Sequence, residues 1–244
     1  MQLSAKPYLI EADFQLQAGI EWSEYPFCIP AVRDIAKIEF HPDVTFFVGE
    51  NGSGKSTVLE ALAKSLGYSA EGGTRNVRFQ TTESISSLHQ VLRLSRSYRK
   101  PKDGYFLRAE SFFNLATYMD EIGSIGYGVE SLHSVSHGES FMALLVNKLR
   151  GDGLYLLDEP EAALSPTRQL AALRAIHQLV RQSSQFIIAT HSPILLSYPK
   201  ARIFQFDGNG IAEVKFEETE HYQITRDFLN NHTRRIEQLL AEDE

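Results

Sequence analysis

Gly49–Thr57 reads G-E-N-G-S-G-K-S-T. It fits G-x-x-x-x-G-K-[ST], the pattern of a phosphate-binding loop, and its surroundings suit that reading. Val44–Val48 (V-T-F-F-V) is apolar enough for a buried strand running into the loop. Ser56–Leu66 places Val58, Leu59, Leu62 and Leu66 on one helical face. A glycine loop between strand and helix turns backbone N–H groups inward, and the helix N-terminus adds partial positive charge. Glu50, Asn51, Gly52, Ser53, Gly54, Lys55, Ser56 and Thr57 are therefore the expected cradle for a triphosphate. Lys55 is expected to reach the β- and γ-phosphates, and the Ser56 hydroxyl to ligate Mg²⁺. Gly49, Gly52 and Gly54 let the backbone approach closely.

Three further segments carry chemistry. Leu154–Leu157 (L-Y-L-L) is a short apolar run ending in Asp158-Glu159-Pro160. Such a run suits a buried parallel strand. It would deliver Asp158 to the Mg²⁺ shell, leaving Glu159 to orient or deprotonate the attacking water. Phe186–Thr190 (F-I-I-A-T) is another apolar strand, followed by His191. A histidine past a strand end lies on the ligand-binding edge of an α/β sheet, within reach of a γ-phosphate. Lys55, Glu159 and His191 are the expected catalytic set; Ser56 and Asp158 are the expected metal ligands. Ser136-His137-Gly138-Glu139-Ser140 opens a predicted helix, Glu139–Leu149. There Ser136 and Gly138 suit an anion site, although the local pattern by itself favours Ser136 as an ordinary N-cap.

The order phosphate loop, S-H-G-E-S, L-Y-L-L-D-E-P, A-L-S-P, I-I-A-T-H-S resembles the ABC-type ATPases. Within them it is more similar to the SMC, RecF and OLD-like branch, and to small stand-alone bacterial predicted ATPases, than to the transporters. The resemblance implies a P-loop NTPase fold, ATP with Mg²⁺, and a head-to-tail homodimer closed around two nucleotides. By the same resemblance Ser136 and Gly138 would contact the γ-phosphate in trans, Leu164 and Ser165 would lie in the D-loop, and His191 would be the switch histidine. Two features depart from the pattern: S-H-G-E-S stands in place of L-S-G-G-Q, and A-L-S-P lacks the usual aspartate. Gln80 and Glu110 are alternative Q-loop residues, and Tyr25 and Phe27 alternative aromatics for the adenine. GTP is disfavoured, because Arg150 follows Asn147-Lys148 where an aspartate would be needed.

The expected fold class is α/β: an ABC-type ATPase head with a mostly parallel central sheet, an antiparallel N-terminal region and a short inserted arm. Residues 1–244 are read as one domain, with residues 68–135 as the arm. The arm carries no sustained heptads, so no coiled coil is expected. Arg93–Lys102 holds five cations and no acid. It is read as a helix whose Arg93, Arg96, Arg99 and Lys100 form a solvated face or a phosphate-backbone contact. The helix Thr167–Gln182 is expected to pack through Leu170, Leu173, Ile176 and Val180. Arg202–Phe206 and Ile211–Phe216 are expected to pair as a hairpin, followed by two helices near Thr219–Leu229 and His232–Leu240.

A net charge of −7 argues against nonspecific nucleic-acid binding by the whole surface. The single cysteine, Cys28, and the absence of an export signal or an integral membrane segment lead to a cytoplasmic expectation. The function expected is Mg-dependent ATP hydrolysis coupled to dimerisation, acting on DNA, other nucleic acid or a partner protein. The nucleotide-binding subunit of an ABC transporter and a non-hydrolysing ATP-clamped scaffold are the alternatives.

Overall fold

The computed structural model describes residues 6–15, 20–33, 35–69, 72–74, 86–108 and 137–241. Along the chain come β1 (Leu9–Phe14), α1 (Pro30–Arg33), β2 (Lys37–Glu39), β3 (Val44–Gly49), α2 (Lys55–Ser65), β4 (Leu92–Arg96) and β5 (Asp103–Arg108). Then follow α3 (His137–Ala143), β6 (Gly153–Asp158), α4 (Pro166–Arg181), β7 (Gln185–Ala189), α5 (Pro193–Leu196), β8 (Arg202–Asp207), β9 (Gly210–Val214) and α6 (Glu220–Ala241).

Six strands form the central sheet in the order β5-β6-β7-β3-β8-β9. All neighbours are parallel except β8 and β9, which close as a hairpin with Asp207 opposite Gly210. The inner strands β3, β6 and β7 are buried at every position. Their continuous apolar runs follow from having a packed layer on both faces. Side chains alternate between the two layers. Phe47, Leu154, Leu156, Ile187 and Ala189 enter one core, with α2 and the N-terminal sheet. Phe46, Val48, Tyr155, Leu157, Phe186 and Ile188 enter the other, with α4, α5 and Phe141 of α3.

The antiparallel N-terminal region is a three-stranded sheet, β2-β1-β4. Gln185, fully buried at the start of β7, ties it to the central sheet. Its side chain accepts from Leu9 N at 2.9 Å and donates to Leu9 O at 2.8 Å and His41 O at 3.0 Å. One amide thus stands in for a missing neighbouring strand and satisfies three backbone groups.

Four local expectations are corrected. The basic segment is not a helix: Leu92–Arg96 is strand β4, with Leu94 opposite Ala12 and Arg93 opposite Asp13. Leu92 and Leu94 alternate with Arg93 and Ser95, a period of two that outweighs the spacing of the cations. The two C-terminal helices are one continuous element, α6, with a single non-helical residue at Asn231. Leu170 points to solvent; Ile176 and Val180 pack as expected, with Leu173 partly buried, and Ala172, Ala175 and Leu179 complete the buried face of α4. The helix expected over Glu139–Leu149 stops being α-helical after Ala143 and ends in a π turn, Leu144–Lys148. Part of the segment read as an arm supplies β4 and β5 to the two sheets. Residues 70–71, 75–85 and 109–135 of that segment lie outside the described residues.

Candidate nucleotide site

Because β6, β7 and β3 are parallel neighbours, their carboxyl ends emerge at one edge of the sheet. The ladder fixes their register: Asp158 lies opposite Ala189, which lies opposite Phe47. Glu159 N donates to Ala189 O at 2.9 Å, and Thr190 N to Phe47 O at 3.0 Å. Three segments distant in sequence therefore present their first post-strand residues side by side.

The glycine loop leaves β3 at Gly49, whose φ is +150°. A Cβ there would come within 2.2 Å of Phe206 O on the adjacent strand, so only glycine fits. The loop enters α2 through Gly54 in the left-handed region, at φ +101°. Lys55 is 3% exposed, and its Nζ donates to the carbonyls of Gly49 and Glu50, each at 2.8 Å. Burial pulls its pKa down, opposed by the nearby Glu159 and Asp158 carboxylates. Ser53 Oγ is buried with no hydrogen-bond partner. Thr57 Oγ1 lies 3.1 Å from the hydroxyl of Tyr25, which is exposed. Phe27, the other aromatic considered for the adenine, is buried in the core.

Ser56 Oγ donates to Asp158 Oδ1 at 2.9 Å, which brings the two expected metal ligands together. Burial pushes the Asp158 carboxyl up to about 7, against the lowering influence of the Ser56 hydrogen bond and Arg108. Arg108, level with Asp158 across the β5–β6 ladder, pairs with Glu60 of α2 at 3.1 Å.

Glu159 adopts the left-handed conformation, φ 49° and ψ 51°, an uncommon state for a residue with a Cβ. This turn takes the chain from β6 into a 3₁₀ turn, Pro160–Ala163. Glu159 Oε1 lies 3.3 Å from His191 Nε2, outside hydrogen-bond alignment. Glu161 Oε1 accepts from the His191 backbone N–H. His191 Nδ1 lies 3.0 Å from His221 Nε2, on the first turn of α6. Burial and Lys55 hold the His191 pKa below its ordinary value, against Glu159.

The S-H-G-E-S segment and the A-L-S-P turn have local duties. A Cβ on Gly138 would come within 2.5 Å of an Arg168 guanidinium nitrogen and 2.7 Å of Ala163 O. Glu139 pairs with Arg168 at 3.1 Å. Leu164 is buried, and Ser165 caps α4 by accepting from Arg168 N. Ser136, Gln80 and Glu110 lie outside the described residues.

A family model described as "AAA domain" matches residues 28–125, and one described as "AAA domain, putative AbiEii toxin, Type IV TA system" matches residues 94–197. The chain is 26% identical to the hemin import ATP-binding protein HmuV of Deinococcus radiodurans over 218 residues, 80% of this chain and 83% of that one. These matches support a P-loop ATPase of the ABC type. It is also 23% identical to the ABC transporter G family member STR2 of Medicago truncatula, over 62% of this chain but only 24% of that much longer protein. The SMC head domain from Thermotoga maritima aligns at 17% identity and a TM-score of 0.38, over 73% of this chain and 92% of that one.

Nucleotide and Mg²⁺ suit what this edge of the sheet provides. The orphaned Ser53 hydroxyl and the buried amine of Lys55 suit an anion. The Ser56–Asp158 pair offers two oxygens, enough for an ion that keeps waters and phosphate oxygens as its other ligands. Three residues at the site escaped sequence reasoning. Glu161 stands three residues after Asp158, where its reach to the His191 backbone has no local signature. Arg108 could be found only through the β5–β6 register. His221 lies on an element whose path back to this edge is purely tertiary. Among the described residues, no helix is long and apolar enough to cross a membrane.

Proposed function

We propose that this single-domain ATPase binds Mg-ATP at the carboxyl edge of β3, β6 and β7 and hydrolyses it, with nucleotide closing two copies head to tail. One observation carries the reading: two functional pairs meet at one edge, Ser56 with Asp158 at 2.9 Å and His191 with Glu159 at 3.3 Å. Glu50, Asn51, Gly52, Ser53, Gly54 and Thr57 wrap the phosphates, chiefly through backbone N–H groups. Lys55 leaves its two carbonyl partners for the β- and γ-phosphate oxygens. Ser56 and Asp158 hold the Mg²⁺, which when bound neutralises charge on the phosphates. Glu159, turned out of the strand by its left-handed backbone, accepts a proton from the attacking water. His191 faces the same space and donates toward the γ-phosphate. Tyr25, exposed beside Thr57, is the candidate aromatic for the adenine.

Ser136 and Gly138 complete the partner's site in this reading, and nucleotide favours the closed pair because it touches both halves. The work coupled to closure is on nucleic acid or a partner protein, and the exposed Tyr98 and Arg99 beside β4 are the contact to examine. A second reading is the ATP-binding subunit of an importer, favoured by the match along most of HmuV. Phosphate release from Mg-ATP by the wild type, compared with Lys55→Ala, tests hydrolysis. Equal, background rates would leave only a non-hydrolysing clamp. Stimulation by DNA that is lost on neutralising Arg93 and Arg99 supports the first reading. Co-purification with a polytopic membrane protein supports the second.

A further inference from the structure

The histidine facing Glu159 does not stand alone. His191 is held at both ends: its backbone N–H donates to Glu161, and its ring Nδ1 lies 3.0 Å from His221 Nε2. The two rings sit 5.2 Å apart, tilted by 52°. His221 is itself fixed, because α6 begins at a buried Thr219 whose hydroxyl accepts from Tyr222 N and donates to Phe216 O. Packing of Tyr222 on Phe216, 4.6 Å between centroids, adds to this anchor.

Between two neutral imidazoles one ring must donate and the other accept, and the far nitrogen of His191 decides which. Nε2 faces the Glu159 carboxylate at 3.3 Å. A lone pair there would oppose the carboxylate oxygen; a proton there is attracted to it. Nε2 of His191 therefore carries the proton, Nδ1 is left as the acceptor, and His221 Nε2–H is the donor. The geometry points to His221 as a positioning residue: through this bond the C-terminal helix holds His191 in the Nε2–H tautomer and aims that proton into the nucleotide site. The inference rests on the catalytic role proposed for His191. It adds that α6, otherwise an exposed appendage, is part of the hydrolytic apparatus, in the way that a partner behind a working histidine fixes its tautomer and orientation.

The test has two independent arms on the full chain. In nucleotide-free protein labelled with ¹⁵N-histidine, long-range proton–nitrogen spectra should show His191, assigned by its loss in His191→Gln, as the Nε2–H tautomer. His221→Ala should convert that signal to a mixture of tautomers, and His221→Gln, which keeps an N–H donor, should restore it. In turnover, His221→Ala should lower kcat about tenfold, the scale seen when a histidine loses its orienting partner. KM for ATP should stay within about twofold, as for a group acting on the chemical step. In a His191→Gln background the same change should cost nothing further, because the two residues act as one unit. An unchanged His191 tautomer in His221→Ala, or additive losses in the double variant, overturns the inference. If the wild type hydrolyses no ATP, the proposed function fails, and the tautomer arm alone decides whether His221 sets the state of His191.

Discussion

Every residue of β6 is buried, whereas none of the 22 residues of α6 is. Yet both elements serve the same site: β6 ends in Asp158 and leads directly to Glu159, and His221 of α6 meets the His191 that faces Glu159. The strand places its acids by hydrophobic necessity. An unbroken apolar run between two cores belongs inside a parallel sheet, and whatever follows it emerges at the carboxyl edge. The helix places its histidine by local anchoring at Thr219, Phe216 and Tyr222, while Ile224, Leu229, Leu239 and Leu240 remain exposed along its length. A site assembled in this way has a rigid half built into the core and a half that hangs on a few contacts. Perturbations should separate the two.

The largest stability loss is expected at the rigid half. Gly49→Ala combines a positive φ with a Cβ 2.2 Å from Phe206 O, and should cost about 4 kcal/mol or more, in the range reserved for a clash with the core backbone. Urea titration followed by circular dichroism measures it; a loss below about 1 kcal/mol would mean that the loop–strand contact is soft. Next comes the joint between the sheets. Gln185→Leu leaves Leu9 N–H, Leu9 O and His41 O without their side-chain partner and should cost about 2–4 kcal/mol, since each orphaned buried group is expensive.

These two effects differ in how far sequence could foresee them. Gly49 announces itself by its place in the phosphate loop, although its packing reason, the carbonyl of Phe206, belongs to a strand about 150 residues away. Gln185 looks like any polar residue at the start of an apolar run, and only the docking of β1 against β7 reveals its work. The same division holds across the molecule. The apolar central strands and the placing of Gly49–Thr57, Asp158, Glu159 and His191 at strand ends follow from local apolar runs and motif spacing, whereas the spatial order of the strands does not. The basic segment deceived because its cations invite a helical reading while Leu92 and Leu94 obey a strand period. Glu161, Arg108 and His221 were invisible because their partners are set by tertiary register, which no local pattern encodes.

A third perturbation reads the electrostatics of the rigid half. The Asp158 carboxyl sits at about 7 when folded against 3.8 ordinarily, so the folded protein holds the extra proton between those values. Burial of this charge costs nothing below pH 4, and its cost grows until the group is ionised in both states above pH 7. Asp158→Asn should therefore stabilise the metal-free protein at pH 8, on the order of 2 kcal/mol, with a gain that shrinks toward pH 5. Thermal melts of both proteins across that range check it; a gain independent of pH would point away from desolvation of the carboxylate. Mg²⁺ binding should strengthen over the same interval, since the ligand must be deprotonated. The smallest effect belongs to the far half of α6. Leu240, 65% exposed, should tolerate serine with a change within about 0.5 kcal/mol. A larger loss in the same melts would mean that the end of the helix is packed after all.

The central claim is that the strand-borne carboxylate Glu159 drives hydrolysis, and that nucleotide, once bound and uncleaved, joins two copies. Glu159→Gln, sized by gel filtration with light scattering in saturating Mg-ATP, tests both parts when its phosphate release is measured alongside. The expected result is a dimer that persists while ATP is present, with release at least about 100-fold below the wild type, the scale of a lost general base. A monomer that still releases phosphate at the wild-type rate would contradict it.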